Sequence, residues 1–567
     1  MLRLLLSFRS KRVAIVADIE KAFLQIFLDN QDRDYLRFFW YKVAPTVDGD
    51  LPPLEVWRMT RVPFGATCST FLLAATIQHH LQSLALEYAW TTSKLRDNFY
   101  VDDLVNGADD YPQALQLFKE TIQIFDKAGL PVRKWLTNEP ALQKQFEEQG
   151  LSRATTLSVN VLGVTWRTTT DDLCCALSSV SEFLKSSPCT KRQVLRAVSR
   201  IFDPFGFLVP FTISAKILFQ RLWEEKASWD THLGPEHSTA WQGWCSEIPK
   251  IQNFSVPRLL DPDVSANFES FDLHTFCDAS PLAYGAVVYL RNPDTTRTSF
   301  VVAKSRVAPL KRQTLPRLEL LAALLSSRLI QTASAVFNIP RSQCHAWTDS
   351  MIALSWIRTT PTNLPPFVSN RVIEIQRYVP PDLCRHCPGH QNPADLLSRG
   401  ITATQLLRNH AWLSGPQWLH QPPALWPPEP SSLGSSTQSL EPLCSCPEEI
   451  SVLHTHVSSQ PLLTLLDYSS YMRVITVTAW IFRFVQRCQR PPSAPDRRSL
   501  SLSLDEQQIA EHYWYKGVQL EAFGLHPERH DSLKTFEIFS DSNGLLRLKT
   551  RLVFDISHNP TLQAPFY

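Results

Sequence analysis

The chain has 567 residues, of which 44% are hydrophobic and 19% charged, with a formal net charge of +2. This length predicts about three or four domains, and a near-neutral charge does not exclude nucleic acid, because a binding groove needs only a local basic surface. Twelve cysteines without regular spacing exclude a disulfide framework and favour a reducing compartment. The first apolar run is too short for a signal peptide, so we expect a chain that is not secreted.

The first 170 residues have a mixed pattern that predicts an α+β fold. Residues 12–20 are a short β-branched run typical of a buried strand, and 66–88 have helical periodicity. Residues 98–108 predict a hairpin with adjacent aspartates at its tip. An amphipathic helix is expected over 111–129, ending at Gly129, and one more strand over 159–168.

A mainly helical stretch follows from about 180 to 245, and an α/β unit begins near residue 270. The sequence predicts three strands, at 273–280, 283–290 and 298–305. It then predicts a helix at 314–333, with Pro316 in its first turn, and a strand running into a helix at 344–350. Residues 421–447 are rich in Pro and Ser and predict a linker. Residues 473–485 are shorter than a membrane span and contain Arg483, so we expect an amphipathic helix and no membrane contact.

Three carboxylates at strand ends form the first candidate site. Asp18 ends the first strand, and Asp102 and Asp103 lie at the hairpin tip. If these strands are neighbours, the cluster is costly unless divalent cations neutralise it, and hard oxygen ligands favour Mg²⁺. The alternative is a solvated acidic turn without a ligand.

The neighbouring motifs resemble reverse transcriptases. Tyr-Val-Asp-Asp after an apolar residue resembles their active-site hairpin, and four further blocks appear in the family's order: "ADIEKAFLQI" (17–26), "VPFGATCSTFLL" (62–73), "GLPVRKWLTN" (129–138) and "VLGVTW" (161–166). The resemblance implies RNA-directed DNA synthesis from an RNA template, a DNA primer and deoxynucleotides. It also implies that Asp18 and Asp102 bind two Mg²⁺ ions, with Mn²⁺ as the alternative, that Asp103 completes the set, and that the Ile19 carbonyl adds a ligand.

The same resemblance places five residues around the nucleotide. Phe23 occupies the position of a steric gate against a ribose 2′-hydroxyl, although a core role is the alternative. Phe64 and Gly65 would flank the nucleotide, with Tyr100 of the hairpin nearby. Lys134 would pair with or protonate the departing pyrophosphate, unless it is a solvated surface lysine.

Four acids in the α/β unit form the second candidate site. Asp278 lies on its first strand, Glu319 early in the long helix, Asp349 after the strand "CHAW", and Asp395 in "NPADLLSRG". Their order resembles the metal ligands of ribonuclease H, which implies two Mg²⁺ ions, a water nucleophile and an RNA–DNA hybrid substrate. The alternatives are that Asp349 is only an N-cap and Glu319 only a helix-surface residue.

Histidines and cysteines near Asp395 add two further predictions. His386 and His390 compete for the histidine that aids product release in ribonuclease H, and spacing places His386 slightly ahead. Cys384, Cys387 and His390 also suggest zinc, but a structural site needs a fourth ligand and none is evident, so free thiols are preferred. Cys444 and Cys446 lie too close together in the linker.

"IFDPFGFLVP" (201–210) and "LFQRLWEEKASWD" (218–230) extend the resemblance to the BEL/Pao group of long-terminal-repeat retrotransposons. The implied fold class is α+β and α/β multidomain: a reverse transcriptase palm with truncated fingers, a helical thumb or connection, a ribonuclease H-like mixed sheet with flanking helices, and a poorly defined C-terminal region. The implied boundaries are 1–170, 171–265, 266–402, a linker over 403–465, and a segment over 466–567 resembling the lead-in to a retroelement integrase.

Three features expected of a retrotransposon polyprotein, namely full fingers, an integrase core and a peptidase loop, are not evident in the sequence. Few residues precede Asp18, so we expect truncated fingers and consider polymerase activity of this chain open. No integrase core is evident, and "SDSNG" (540–544) is an unconvincing aspartic peptidase loop, although Pao polyproteins are associated with such a family. The competing hypothesis is a catalytically incomplete or host-adopted remnant that binds nucleic acid or protein. We expect cytoplasmic virus-like particles containing other parts of the polyprotein, with the nucleus as the alternative location.

Overall fold

The computed structural model describes residues 1–43, 52–153, 158–185, 188–262, 268–429, 470–488, 502–523, 538–541 and 544–548. The chain forms two compact units, Met1–Thr437 and Gln438–Tyr567. The first unit contains both candidate sites. Much of the predicted linker, with Cys444 and Cys446, lies outside the described residues.

A four-stranded antiparallel sheet carries the first candidate site, in the order β4-β5-β1-β6. Its strands are β1 (Val13–Ile19), β4 (Phe99–Tyr100), β5 (Asp103–Ala108) and β6 (Val132–Thr137). Five helices accompany it: α1 (Leu2–Phe8), α2 (Ser69–Ser83), α3 (Ala89–Leu95), α4 (Tyr111–Lys127) and α5 (Pro140–Glu148). A separate hairpin pairs β2 (Arg37–Tyr41) with β3 (Leu54–Arg58).

Local sequence explains why these elements begin and end where they do. In α4 the Asp110 carboxylate caps the helix by accepting from the Gln113 N–H at 2.9 Å, Pro112 lies in the first turn, and Gly129 follows with φ +64°. Alternate residues of β1 face opposite cores: Ile15 packs toward α4, while Val16 packs into the larger core that contains Trp166. The apolar run of β1 is therefore buried on both faces.

The segment predicted as one strand over 159–168 is instead a hairpin of β7 (Val159–Val161) and β8 (Val164–Arg167). Leu162 and Gly163 both have positive φ, +48° and +92°, which is the geometry of a tight two-residue hairpin turn. The hairpin belongs to a second antiparallel sheet, β10-β9-β8-β7, completed by β9 (Asp172–Cys174) and β10 (Ser255–Pro257). The expected helices between them are α6 (Ser178–Lys185), α7 (Lys191–Arg200), α8 (Val209–Glu224) and α9 (Pro235–Ile251).

A five-stranded mixed sheet carries the second candidate site, in the order β13-β12-β11-β14-β15. The strands are β11 (Asp272–Ala279), β12 (Ala283–Arg291), β13 (Thr298–Val307), β14 (Cys344–Thr348) and β15 (Cys384–His386). The first three pair antiparallel, and β14 and β15 join parallel. The helices are α10 (Leu315–Phe337), α11 (Met351–Arg358), α12 (Pro366–Tyr378) and α13 (Asp395–Arg399). The antiparallel sheet that carries the first candidate site and the mixed sheet that carries the second, each with its helices, confirm the predicted α+β and α/β class.

Residues 403–426, predicted as the start of the linker, are instead packed in the structure. Helices α14 (Ala403–Arg408) and α15 (Ala411–Ser414) follow α13. Trp412 is fully buried and its Nε1–H donates to the Phe207 carbonyl at 2.9 Å. Trp418 and Trp426 contact Trp347 of the sheet, with ring centroids 4.6 and 5.8 Å apart. This extension therefore completes the core of the mixed sheet.

The second unit contains α16 (Tyr471–Cys488), α17 (Leu504–Phe523), β16 (Ile538–Ser540) and β17 (Leu546–Leu548). The predicted amphipathic helix is α16, and its Arg483 pairs with Glu506 of α17. In the suggested peptidase loop, Asp541 is ion-paired with Arg547 at 2.7 Å. Within the described ranges one helix, α10, has the length and composition of a membrane span, and most of its apolar stretch is buried inside the domain.

Candidate active sites

The first group of carboxylates lies where β1 and β5 run side by side. Asp18 is the cross-strand partner of Asp103, and the Ile19 N–H donates to the Asp102 carbonyl at 3.0 Å. Val101, with φ +60°, makes the tight turn that places both aspartates at the strand end. The structure therefore places the three predicted ligands at one end of the sheet, while the Ile19 carbonyl remains a predicted ligand.

Lys134 reaches Asp18 because β6 bulges beside it. The pairing of β1 with β6 shifts between Val16 and Asp18, so Lys134 and Trp135 together lie opposite one residue of β1. A bulge of this kind redirects a side chain, and Lys134 adopts the left-handed φ of +55°. Its Nζ forms an ion pair with Asp18 Oδ2. The lysine that the sequence assigned to pyrophosphate or solvent thus contacts a predicted metal ligand.

The donor set of this site fits a hard divalent cation. The second oxygen of Asp18, Oδ1, is buried without a hydrogen-bond partner, which is costly unless a ligand satisfies it. Among the described residues, no three acidic, Cys or His side chains converge closely enough to hold an ion as they stand. The ammonium of Lys134 supplies the positive charge instead. A cation at Asp18 would therefore compete with Lys134.

Electrostatics at Asp103 are consistent with a site built for positive charge. Partial burial of its carboxyl, followed by repulsion from Asp102 and Asp18, raises the pKa of Asp103, against the opposing effects of Lys134 and Arg153. Arg153 lines the same small cavity as Asp18 and Asp103. Sequence reasoning missed Arg153, since no local motif connects it to the strand ends.

The predicted nucleotide-binding residues lie beside this site. Phe23 is 9% exposed and contacts Phe64 edge to face, with centroids 5.2 Å apart and planes at 89°. Phe64 is 67% exposed and Tyr100 is 42% exposed, while Gly65 has φ +85° with open space around it. Phe23 is therefore a core residue whose edge supports an exposed aromatic, and its gate role remains a prediction.

The second group of carboxylates lies at the end of the mixed sheet. Strands β11 and β14 pair in parallel up to Cys277 and Thr348, so Asp278 and Asp349 follow at the same edge. Burial raises the pKa of Asp278 and of Glu319 and has the largest effect on both. Repulsion from Asp349 raises both values further. Asp395, the first residue of α13, acts on Asp278 in the same way. Asp278, Glu319 and Asp395 thus each lie within electrostatic reach of Asp349.

Serine hydroxyls hold two of these four carboxylates. The Ser398 hydroxyl donates to Asp278 and the Ser350 hydroxyl donates to Glu319. Ser350 Oγ also accepts from the Ala353 N–H at 3.1 Å and caps α11. The alternative that Asp349 is the N-cap is therefore wrong, and its side chain is left for the site. Neither serine was singled out from the sequence.

Both candidate histidines lie beside the second carboxylate group. It pairs with Thr348 across β14 and β15, and its charge lowers the pKa of Asp349. His390 is exposed in the following turn and lines a cleft with Asp395. Gly389 lies between them, and a Cβ there would be 3.1 Å from Asp349 Oδ2. The choice of His386 ahead of His390 therefore remains a prediction.

The cysteines of "CRHCPGH" are core thiols. Cys384 is 2% exposed and Cys387 is fully buried, and burial raises the pKa of each to about 12. Burial therefore favours the protonated thiol over the thiolate that zinc binds. The preferred interpretation, free thiols in a strand and loop, agrees with this geometry.

Asp278 provides a stability test of the second site. Burial raises its pKa from 3.8 to about 7, with Asp349 and Asp395 adding to the shift. The folded state then binds more protons than the unfolded chain between about pH 4 and 7, so stability falls as pH rises through that window. We expect Asp278→Asn in EDTA to be more stable than the parent at pH 8, by roughly 1–3 kcal/mol, with no difference near pH 4. Thermal melts measure this, and equal melting at pH 8 would contradict it.

Comparisons with known proteins find two domain families in the chain. Residues 4–165 match the family model "Reverse transcriptase (RNA-dependent DNA polymerase)". Residues 190–350 match the model "Pao retrotransposon-like RNaseH-like domain". None of the curated proteins compared with the chain matches it.

Solved structures similar to the chain include two of foamy viral protease-reverse transcriptase. The one in complex with an RNA/DNA hybrid is 16% identical, with 70% of this chain and 46% of that chain covered and a TM-score of 0.44. The dRH form in complex with double-stranded DNA is 18% identical, with 68% and 58% covered and a TM-score of 0.43. The chain spans about half the length of these structures. The two family matches identify a reverse transcriptase domain at 4–165, followed by a Pao retrotransposon-like ribonuclease H-like domain at 190–350.

Proposed function

We propose that the chain is an RNA-directed DNA polymerase with ribonuclease H activity. Asp18, Asp102 and Asp103 are proposed as the polymerisation site, and the carboxylates around Asp349 as the RNA-cleaving site. The observation that supports this most strongly is that each of two separate sheets ends in a group of mutually repelling carboxylates. One group lies in the segment matching the reverse transcriptase model, and the other begins in the segment matching the Pao model.

Reverse transcriptase and ribonuclease H families generally depend on divalent metals. In the proposal each site takes two Mg²⁺ ions, with Mn²⁺ as the alternative, which activate the attacking hydroxyl or water and stabilise the leaving oxygen. Asp18 offers its buried, unpaired Oδ1, and Lys134, released from Asp18, would carry its charge toward the departing pyrophosphate. At the second site Ser350 and Ser398 orient Glu319 and Asp278.

The proposed substrates are an RNA template, a DNA primer, deoxynucleotides and the RNA–DNA hybrid. Such a hybrid is held chiefly through its phosphates and its shape. Other parts of the polyprotein are the proposed protein partners, without membrane contact. The proposed location is cytoplasmic, in virus-like particles, with the nucleus as the alternative.

Two assays on the full chain test the proposal. Primer extension on an RNA template with Mg²⁺ should yield DNA, and a labelled RNA–DNA hybrid should lose its RNA strand. A chain that performs neither reaction would refute the proposal. The competing function, a remnant that binds nucleic acid without turnover, is favoured by one observation, the ion pair between Lys134 and Asp18, and it predicts hybrid binding with no product in either assay.

A further inference from the structure

A buried asparagine lies in the turn before α13. Asn392 precedes Asp395 by three residues and is 5% exposed. Its backbone N–H donates to the Gly389 carbonyl at 3.0 Å, and its own carbonyl accepts from the Asp395 N–H at 3.2 Å. The residue also lines the cleft that contains Asp395. A side-chain amide buried to this depth needs hydrogen-bond partners for its polar atoms.

The Asn392 side chain has these partners on three segments of the domain. Its Nδ2 donates at 3.0 Å to the carbonyl of Cys277, the last residue of β11 that pairs with β14. Its Oδ1 accepts from the Ala394 N–H at 3.1 Å. Burial raises the pKa of Asp349, and a hydrogen bond from the Asn392 side chain is one of the effects that lower it. Because an asparagine amide has two N–H groups and one carbonyl oxygen, a single orientation serves all three contacts.

Each contact lies at a proposed metal ligand or at the residue just before one. The residues contacted precede Asp278 and Asp395 in the chain, and Asp349 is contacted directly. The amide is neutral, so it can hold these segments together against the repulsion between their carboxylates without supplying a charge that competes with a cation. Lys134, which forms an ion pair with Asp18 at the first site, supplies such a charge.

We propose that Asn392 is a positioning residue of the RNA-cleaving site, whose amide sets the spacing of Asp278, Asp349 and Asp395 for divalent cations. The inference rests on the proposed function. Hydrogen-bond partners of metal ligands orient those ligands, and their loss typically costs about 10–100-fold in metal affinity or activity. Asn392 acts through the carboxylates and is assigned no bond to the cation or to the hybrid.

Kinetics of hybrid cleavage by the full chain test the inference. Asn392→Ala should lower kcat about 10–100-fold and raise the Mg²⁺ concentration that gives the half-maximal rate. The KM for the hybrid should change little, because the hybrid is held chiefly through its phosphates. A variant that lost activity through unfolding alone would keep the Mg²⁺ dependence of the parent.

Asn392→Ser separates the local turn from the longer contacts. A serine hydroxyl can accept from the backbone N–H two residues further on, as asparagine does, so the bond to the Ala394 N–H can be kept. Serine lacks the amide that donates to the Cys277 carbonyl and to Asp349. Asn392→Ser should therefore stay folded and show the same loss in kcat.

Mn²⁺ binding supplies a readout that does not depend on turnover. Asp18→Asn removes a proposed ligand of the first site, so the remaining binding reports mainly on the second. In that background, Asn392→Ser should weaken Mn²⁺ binding about 10–100-fold. The electron paramagnetic resonance signal of free Mn²⁺ measures this change.

Asn292→Ala is the matched control, because Asn292 is a buried asparagine, 7% exposed, with the same kind of contacts. Its Nδ2 donates to the Asp261 carboxylate at 2.9 Å, and its Oδ1 accepts from the Asp294 N–H at 3.0 Å. Asn292 follows the last residue of β12, whereas Asp278 pairs with Gly285 near the first. The control should keep the parent kcat and Mn²⁺ affinity.

Thermal melts establish that each variant is folded. If folded Asn392→Ser cleaves the hybrid and binds Mn²⁺ as Asn292→Ala does, the inference is wrong and the amide serves only the stability of the turn. If the parent chain does not cleave the hybrid, the proposed function itself fails.

Discussion

Asp349→Asn should slow cleavage of hybrid RNA by about 10²–10³-fold or more without unfolding the protein. Asp349 is the centre of the second group, because its charge acts on both Asp278 and Glu319. Asparagine keeps the size of the side chain and removes the negative charge that a divalent cation needs. The rate of loss of a labelled RNA strand in Mg²⁺ measures the effect.

Asp382→Asn is a suitable control for this variant, since Asp382 is exposed in the turn before β15. It removes the same charge from the same domain and should cleave at the parent rate. If Asp349→Asn cuts as fast as Asp382→Asn, the assignment of the RNA-cleaving site is wrong.

Arg258→Ala should destabilise the first unit by about 3–5 kcal/mol, the largest stability effect that we expect from one substitution. Arg258 is fully buried and makes two bonds of 2.7 and 2.8 Å to the Asp171 carboxylate. It also donates to the carbonyl groups of Phe8, Lys11 and Arg12. Alanine would leave the three carbonyls and a partly buried carboxylate without their cation.

Urea unfolding measures this change, and Arg192→Ala is the control because its bonds to Asp230 are exposed. A shift no larger than that of Arg192→Ala would contradict the role of Arg258. Arg9, beside Arg258, donates to the carbonyls of Phe300 and Val301 in the mixed sheet at 2.9 and 3.2 Å. The buried arginines thus join the segment leading into β1 to the ribonuclease H-like domain.

Long patterned segments were predictable from sequence, and short elements that depend on distant partners were not. The strand that carries Asp18 and the helix that carries Glu319 follow from apolar runs and helical periodicity. The hairpin of β7 and β8 was missed because Leu162 adopts positive φ, which its residue type does not suggest. The packed extension to Trp426 was predicted as linker, because its short helices bury isolated tryptophans on a sheet formed far earlier in the chain.

Among the site residues too, those with a local sequence pattern were predictable and those that depend on distant partners were not. Carboxylates at strand ends could be predicted because the ends of neighbouring strands meet at one edge. The contact of Lys134 with Asp18 depends on a bulge, and the hydrogen bond from Ser398 to Asp278 joins residues that are 120 positions apart in the chain. Such contacts leave no local pattern in the sequence.

One reaction tests the central claim of two independent sites most directly. A labelled DNA primer on a differently labelled RNA template, incubated with deoxynucleotides and Mg²⁺, reports synthesis and RNA cleavage together. We expect Asp18→Asn to lose primer extension and keep cleavage of RNA paired with DNA, and Asp349→Asn to show the reverse. Loss of both activities in either folded variant, or of neither, would contradict two separate carboxylate sites.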